Sequence, residues 1–495
     1  MPLRPRSALT ILAVAVLLAA SAAPAASTST TPATSPGAAW EAYADPAEAG
    51  FSADALEGAR SLADESGSAA VVVVYRGRVL AAWGAVDRPL MAHSVRKSLA
   101  GALYGQAIAD GRLSLDATLA DLRVDDVPPL TPAERGATFA DLIAARSGVY
   151  HGAAYASDEQ ADNRPARGSH APGTFWYYNN WDFNAAEAIY ERATGQDLYQ
   201  AFADRIARPV GMEDFDASAQ LRVLEPGLSH LPAHTFRISA RDLARFGQLY
   251  LDDGRWQGTQ VVPESWVRDS LRPHSDLGKG AGYGYLWWTW DAGALDAARY
   301  PVLSGQSIRL ARGTGGQAVF LVPGLDLVVV HRADTDRGRS VPGTAIWQMV
   351  ERIAAARTVA PAARTGHPPA SPRTAPMHVE PLAAGRPAPP APAIVTLPTA
   401  ALERLAGEYD MPGGRGAIRV FLYEERLFAN VPGLGEAELF ATSPTTFAVL
   451  AAPGASAEFL TGPGGEVTAI RIVAEGQRLE APRRREPTGR SRSTR

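Results

Sequence analysis

Ser94-Val95-Arg96-Lys97 sets an alcohol and an amine three positions apart, and the reading of the whole chain turns on that pair. On a helix, residues three apart share a face, so the two side chains can meet. Of the 48 lysines and arginines in the chain, only Lys97 and Lys279 are lysine. Arginine stays protonated in a protein, whereas a lysine stripped of water can become a neutral base at working pH. Serine needs such a neighbour to become a nucleophile. Lys279 has Asp276 at the same offset and makes no comparable pair. If Ser94 opens a helix, backbone N–H groups and the positive end of the helix dipole face the carbonyl under attack.

Two further stretches supply what this pair lacks. Pro172-Gly173-Thr174-Phe175-Trp176-Tyr177-Tyr178-Asn179-Asn180 is a turn followed by aromatics and two amides. A tyrosine there can carry the proton between nucleophile and leaving group, and an asparagine can orient the lysine and a substrate amide. The residues alone leave two registers open, Tyr177 with Asn179 and Tyr178 with Asn180. Ala311-Arg312-Gly313-Thr314-Gly315-Gly316-Gln317 then runs into an apolar strand at 318–322. Its glycines allow close approach to a strand edge, and the Thr314 N–H can join that of Ser94 as an oxyanion hole.

Together these stretches resemble the penicillin-recognising serine hydrolases, on the branch of class C β-lactamases, D-alanyl-D-alanine carboxypeptidases and related esterases and amide hydrolases, a group known for S-x-x-K. The resemblance covers about residues 45–355 and includes Leu142 through Ser147-Gly148, Pro209-Val210-Gly211-Met212, Arg241-Asp242-Leu243-Ala244-Arg245-Phe246-Gly247 and Tyr283-Gly284-Tyr285-Leu286-Trp287-Trp288. It implies Ser94 as the acylated nucleophile, Lys97 as its base, and Tyr178 as general acid/base of a Y-x-N motif completed by Asn180. Tyr178 is favoured because the family's tyrosine follows its Pro-Gly by five positions, as Tyr178 follows Gly173. The family's K-T-G or H-x-G motif falls on Ala311-Arg312-Gly313, where Ala311 departs from the pattern and leaves Arg312 as the nearest cation. That departure weakens the case for β-lactam or peptide-carboxylate recognition. The run from Gly313 to Val330 resembles members acting on esters or small amides, including those that cleave 6-aminohexanoate oligomers.

Length and composition frame this reading. A chain of 495 residues holds more than one domain at about 100–200 residues each. Arg4 and Arg6, the apolar run 9–20 and Ala23-Pro24-Ala25 read as a signal peptide over 1–26, too short in its apolar part to cross a bilayer, so the mature protein is expected to be exported with no transmembrane segment. A flexible lead-in follows at 27–39. The main domain is expected at 40–357, a proline-rich linker at 358–398, a small β domain at 399–481 and a basic disordered tail at 482–495.

Patterning predicts the fold class. Residues 70–83 read as two β-branched strands about Arg76-Gly77-Arg78, 317–322 and 325–330 as two more, and Ser94, Ser239 and the stretch 344–356 as starts or bodies of helices. The expectation is an α+β domain of β-lactamase/transpeptidase type, with an antiparallel sheet built from both chain ends and an all-helical region. Short apolar stretches parted by glycine and proline predict a small all-β, barrel-like C-terminal domain, an antiparallel barrel or a sandwich.

Several classes are set aside. Without cysteine there is no disulfide, thiolate metal site or cysteine nucleophile. The net charge of −4 and a basic cluster confined to the C-terminal end argue against nucleic acid as a partner. No G-x-S-x-G, H-E-x-x-H, phosphate loop or dinucleotide fingerprint occurs, so neither metal nor cofactor is expected. His93 reads as a packing or supporting residue. The expected partner is a small ester, amide or peptide substrate, and the oligomeric state is not legible. The competing class is a penicillin or cell-wall sensor on the same fold that binds without turnover, or deacylates slowly.

Overall fold

Ten strands form one sheet: β1 (Glu41–Tyr43), β2 (Ala70–Tyr75), β3 (Arg78–Gly84), β4 (Ser275–Gly278), β5 (Ala281–Tyr283), β6 (Trp288–Trp290), β7 (Ile308–Gly313), β8 (Gln317–Val322), β9 (Leu327–Arg332) and β10 (Thr374–Pro376). Their order is β4-β5-β6-β7-β8-β9-β2-β3-β1-β10. This computed structural model describes residues 39–358, 373–385, 392–432, 435–450, 452, 454–474 and 477–484. The expected signal peptide, all but residue 39 of the lead-in, linker residues 359–372 and 386–391, and tail residues 485–495 lie outside the described residues.

The sheet joins the two chain ends where β9 pairs antiparallel with β2, Val330 opposite Val72. The run Val71-Val72-Val73-Val74 carries no polar alternation because both faces of β2 are covered. Val71 and Val73 pack with Leu56 of α1 (Ala53–Glu65) and, later in the chain, Met349. Val72 and Val74 belong to a second core, with Leu99 of α2 (Val95–Ala109), Phe183 of α3 (Asn180–Thr194) and Leu243 of α4 (Ala240–Leu251). Met349 lies on α5 (Gly343–Ala355), which packs beside α1. Ser239 caps α4 by accepting from the Asp242 N–H at 3.1 Å, as its position before the apolar pattern predicts.

Three details depart from expectation. The β1–β3 pair is parallel, so the sheet is antiparallel everywhere but at that junction. β9 starts at Leu327 because Pro323–Leu325 forms a 3-10 turn and Asp326 takes a left-handed backbone at φ 51°. Residues 374–376, inside the proline-rich stretch, add an edge strand against β1, a place where prolines cost no ladder bond.

The C-terminal region is all β, as expected, but closes no barrel among the described residues. It has a four-stranded sheet (Gly407–Asp410, Ala417–Tyr423, Arg426–Val431, Gly435–Glu438) and a five-stranded one (Phe440–Ala441, Thr446–Ala448, Ser456–Thr461, Val467–Ala474, Gln477–Pro482). Both bury side chains in one core around Tyr409, Ile418, Phe459 and Ile470. A barrel needs a continuous ladder, whereas here a single bridge, Tyr409 to Arg483, joins the outer strands. Arg484, at the start of the basic stretch, is held by Glu408 and Asp410. Among the described residues no helix is long and apolar enough to cross a membrane.

Candidate active site

Ser94 stands at the N-cap of α2 with helical backbone (φ −71°, ψ −8°), and its side chain makes no capping bond. The hydroxyl instead meets Lys97, whose Nζ donates to Ser94 Oγ at 2.8 Å. The three-residue offset thus produces the contact that a helix requires of it. Lys97 is only 2% exposed. Burial pulls its amine well below the ordinary lysine range, and the neighbouring Arg96 charge pulls the same way against Glu187. The amine lies 4.9 Å from the Tyr178 ring centroid and 4.8 Å from that of Phe183, so no water shell restores its charge.

Tyr178, not Tyr177, is the tyrosine beside this pair. Burial pushes its phenol up, and a hydrogen bond with Ser94 opposes that shift. Tyr177 turns away and donates to the Gln160 carbonyl. Asn179 caps α3, accepting from the Trp181 N–H at 3.3 Å, and donates to the Val149 carbonyl at 2.6 Å. Asn180 faces the same cavity as Ser94 and Tyr178. Its amide donates to the Tyr155 carbonyl and accepts from Gln160 Nε2 at 3.5 Å. The expected role of orienting the lysine is therefore not the one its hydrogen bonds display.

The third motif ends β7 and turns through Thr314–Gly316 into β8, with Gly313 opposite Gln317. Gly313 is required by proximity: a Cβ there would lie 2.5 Å from the Ala92 carbonyl oxygen and 3.1 Å from the Ser94 nitrogen. Thr314, the next residue, lines the cavity beside Ser94. Ala311 is buried in the helical-side core, so its side chain offers the cavity nothing. Arg312 is exposed, and its guanidinium sits over the Trp288 ring, 5.3 Å from the centroid.

These residues line one cavity of about 1080 Å³. Trp176, Tyr178, Trp288, Phe320 and Trp347 give it an aromatic wall, and Arg312 a positive charge. Among the described lining residues none is Asp or Glu. Within the stretch Tyr285 to Trp288, Trp288 reaches the cavity, whereas Tyr285 stacks on His274 at 3.6 Å and Trp287 packs on Phe246 and Tyr250.

Sequence reading missed Tyr155, Gln160 and the pair Arg96–Glu187. Tyr155 lies in a turn and Gln160 in the five-residue helix Asp158–Asp162, segments too short to show periodicity, so no local signal marks them. Arg96 is visible only as a second charge beside Lys97 at the helix start. It is fully buried, held by Glu187 and by Asn184 Oδ1 at 2.8 Å. His93 supports rather than reacts: Nδ1 lies 2.7 Å from the Tyr155 hydroxyl and Nε2 2.9 Å from that of Thr335. Burial pushes its imidazole down to about 4.

The Unguisins hydrolase ungD' of Aspergillus campestris is 23% identical over 266 residues, covering 43% of this chain and 46% of that protein. The chain thus spans about half the length of that curated relative. The octameric penicillin-binding protein homologue from Pyrococcus abyssi is similar at 15% identity and a TM-score of 0.46, covering 86% of this chain and 99% of that one. A class C β-lactamase from Rhodobacter sphaeroides is similar at 19% identity and a TM-score of 0.45, over 61% and 99%. Residues 53–346 match the Beta-lactamase family, and on that match, over more than half of its length, the chain belongs to this family.

Proposed function

We propose that this chain is an exported serine hydrolase that cleaves an ester or amide through an acyl-enzyme. Neutral Lys97, with Tyr178, takes the Ser94 proton, and Ser94 Oγ attacks the carbonyl. The Ser94 and Thr314 N–H groups hold the oxyanion, and Tyr178 returns the proton to the leaving group. Water then frees the acyl group. The observation that carries this reading is the 2.8 Å contact between Ser94 Oγ and a desolvated Lys97 amine. Asn180 and Arg312, which both line the cavity, position the substrate. The aromatic lining and the Arg312 charge favour a substrate with an apolar acyl part and no positive charge near Arg312. Export rests on the N-terminal sequence, and the hydrolase domain is assigned to 40–357 with a C-terminal β domain from 399.

The test is labelling and turnover by the purified protein. A fluorophosphonate is expected to modify Ser94, identified by peptide mass, and Ser94→Ala to lose both labelling and hydrolysis while keeping the wild-type circular dichroism. Assays with p-nitrophenyl esters, nitrocefin, D-alanyl dipeptides and aminohexanoate dimers identify the substrate class. Hydrolysis that survives Ser94→Ala overturns the assignment, and a penicillin acyl group that forms on Ser94 but is never released identifies a sensor instead; the fluorophosphonate adduct is irreversible on either kind of protein and reports only the nucleophile.

A further inference from the structure

The backbone just ahead of Ser94 is held from a distance. His93 takes a left-handed conformation at φ 48°, as does Tyr155 at φ 61°. Non-glycine residues adopt such angles only where their surroundings over-determine them. The two rings are stacked nearly parallel, 5.9 Å apart, and joined by the bond between the Tyr155 hydroxyl and His93 Nδ1. A neutral imidazole has one N–H and one lone pair, which the Tyr155 and Thr335 hydroxyls complete.

Tyr155 is fixed in turn through its own backbone. Its carbonyl accepts from Asn180, and its N–H donates to Glu225 Oε1 at 2.7 Å. Glu225 ends the strand Leu221–Glu225, which pairs with Ser229–Thr235 as a hairpin. Val223 and Ala233 of this hairpin pack on Ala154, next to Tyr155. The tip of the hairpin rests on the C-terminal four-stranded sheet. There the Gly227 N–H donates to Glu436 Oε1 at 3.1 Å, and a Cβ on Gly227 would stand 3.1 Å from Glu436 Oε2. His230 and Tyr423 face each other across the same contact, ring centroids 6.1 Å apart.

We propose that Glu225 and Tyr155 are positioning residues that set the His93–Ser94 backbone for attack, and that the C-terminal sheet supports them by holding the hairpin at Glu436. The proposal rests on Ser94 being the nucleophile. It gives the C-terminal sheet a positioning purpose, reached through one hairpin and two side chains, of which Tyr155 also lines the cavity.

The experiment measures fluorophosphonate labelling rates at Ser94, and kcat and KM for a p-nitrophenyl ester, in the full chain and in Glu225→Ala, Glu225→Gln, Tyr155→Phe and Glu436→Ala. Displacement of a reacting group by an ångström costs up to ~100-fold, so Glu225→Ala and Tyr155→Phe are expected to lose ~10- to 100-fold in labelling and kcat, with KM within ~threefold. Glu225→Gln keeps an oxygen for the Tyr155 N–H and is expected to recover to within ~threefold of wild type. Glu436→Ala is expected to lose ~3- to 10-fold in the same parameters. Wild-type labelling rates in both Glu225→Ala and Tyr155→Phe overturn the positioning role, as does a Gln variant no better than Ala. Wild-type behaviour of Glu436→Ala alone overturns the part given to the C-terminal sheet. If Glu225→Ala does not fold, Tyr155→Phe and Glu225→Gln decide. A wild-type protein unlabelled at Ser94 refutes the nucleophile assignment itself, a result distinct from all of these.

Discussion

Gly313 and Ser94 are packed backbone to backbone, with room for no side chain between them: a Cβ on Gly313 would lie 3.1 Å from the Ser94 nitrogen. The third motif and the nucleophile therefore form one surface, although 219 positions separate them in the chain. Gly313→Ala is expected to force the strand end away from α2, destabilising the protein by about 1–3 kcal/mol. Loss of a well-placed oxyanion donor lowers acylation by ~10²–10³-fold. Stopped-flow acylation beside urea unfolding separates the two effects, and an unchanged rate would remove Thr314 from the oxyanion hole.

Lys97→Arg tests charge against basicity. Arginine keeps a cation near Ser94 but cannot accept the proton, so kcat is expected to fall by ~10²–10⁴-fold. A rate within a few-fold of wild type would show that Lys97 acts only as a charge.

The two adjacent tyrosines are expected to separate cleanly. Tyr178→Phe removes the hydroxyl bonded to Ser94 and is expected to lower kcat by ~10²–10⁴-fold. Tyr177→Phe removes a bond to the Gln160 carbonyl, worth about 1 kcal/mol, and is expected to cost less than ~tenfold. The reverse order in steady-state assays would select the register of Tyr177 with Asn179.

Buried Glu187 neutralises Arg96 and also accepts from His234, whose imidazole is raised above its ordinary range despite burial. Glu187→Met strands the Arg96 charge and is expected to cost about 3–5 kcal/mol in urea unfolding. Arg96→Met leaves Glu187 its His234 partner and is expected to cost less. Equal losses would show that the two cations are not shared in this way.

His331 bridges the Ser68 hydroxyl at 2.8 Å and the Gly316 carbonyl at 2.6 Å, and burial lowers its pKa to about 4. Its folded-state value lies below that of the unfolded chain, so its contribution is complete above pH ~6.5 and is lost as pH falls toward 4. The stability difference between wild type and His331→Gln is therefore expected to grow with pH over that window. The slope is about 1.4 kcal/mol per pH unit and the total on the order of 3 kcal/mol. Other groups cancel in the difference, so a flat profile from chemical denaturation would mean that the buried imidazole is charged.

Local periodicity made the skeleton legible. The valine run of β2, the Ser239 cap of α4 and the Ser94–Lys97 offset each act within one or two helical turns or along one strand, where chain geometry alone links neighbours. Strands β4 to β6 escaped because each is only three or four residues long, and which of Trp287 and Trp288 faces the cavity was not legible because adjacent aromatics face different sides of the chain. Barrel and sandwich stayed open for the C-terminal region because strand patterns reveal faces but not which edges meet.

Before any folding, the sequence determines that a lysine follows a serine at a spacing that a helix brings together, in a chain that, but for Lys279, otherwise spells its positive charge with arginine. Tertiary structure alone decided that this lysine is dry, that Tyr178 and not Tyr177 reaches the serine, and that Gly313 closes over it. The division follows from range. A helical offset is set by bonds along the backbone, whereas desolvation and approach depend on segments far apart in the chain, brought together only when the core packs.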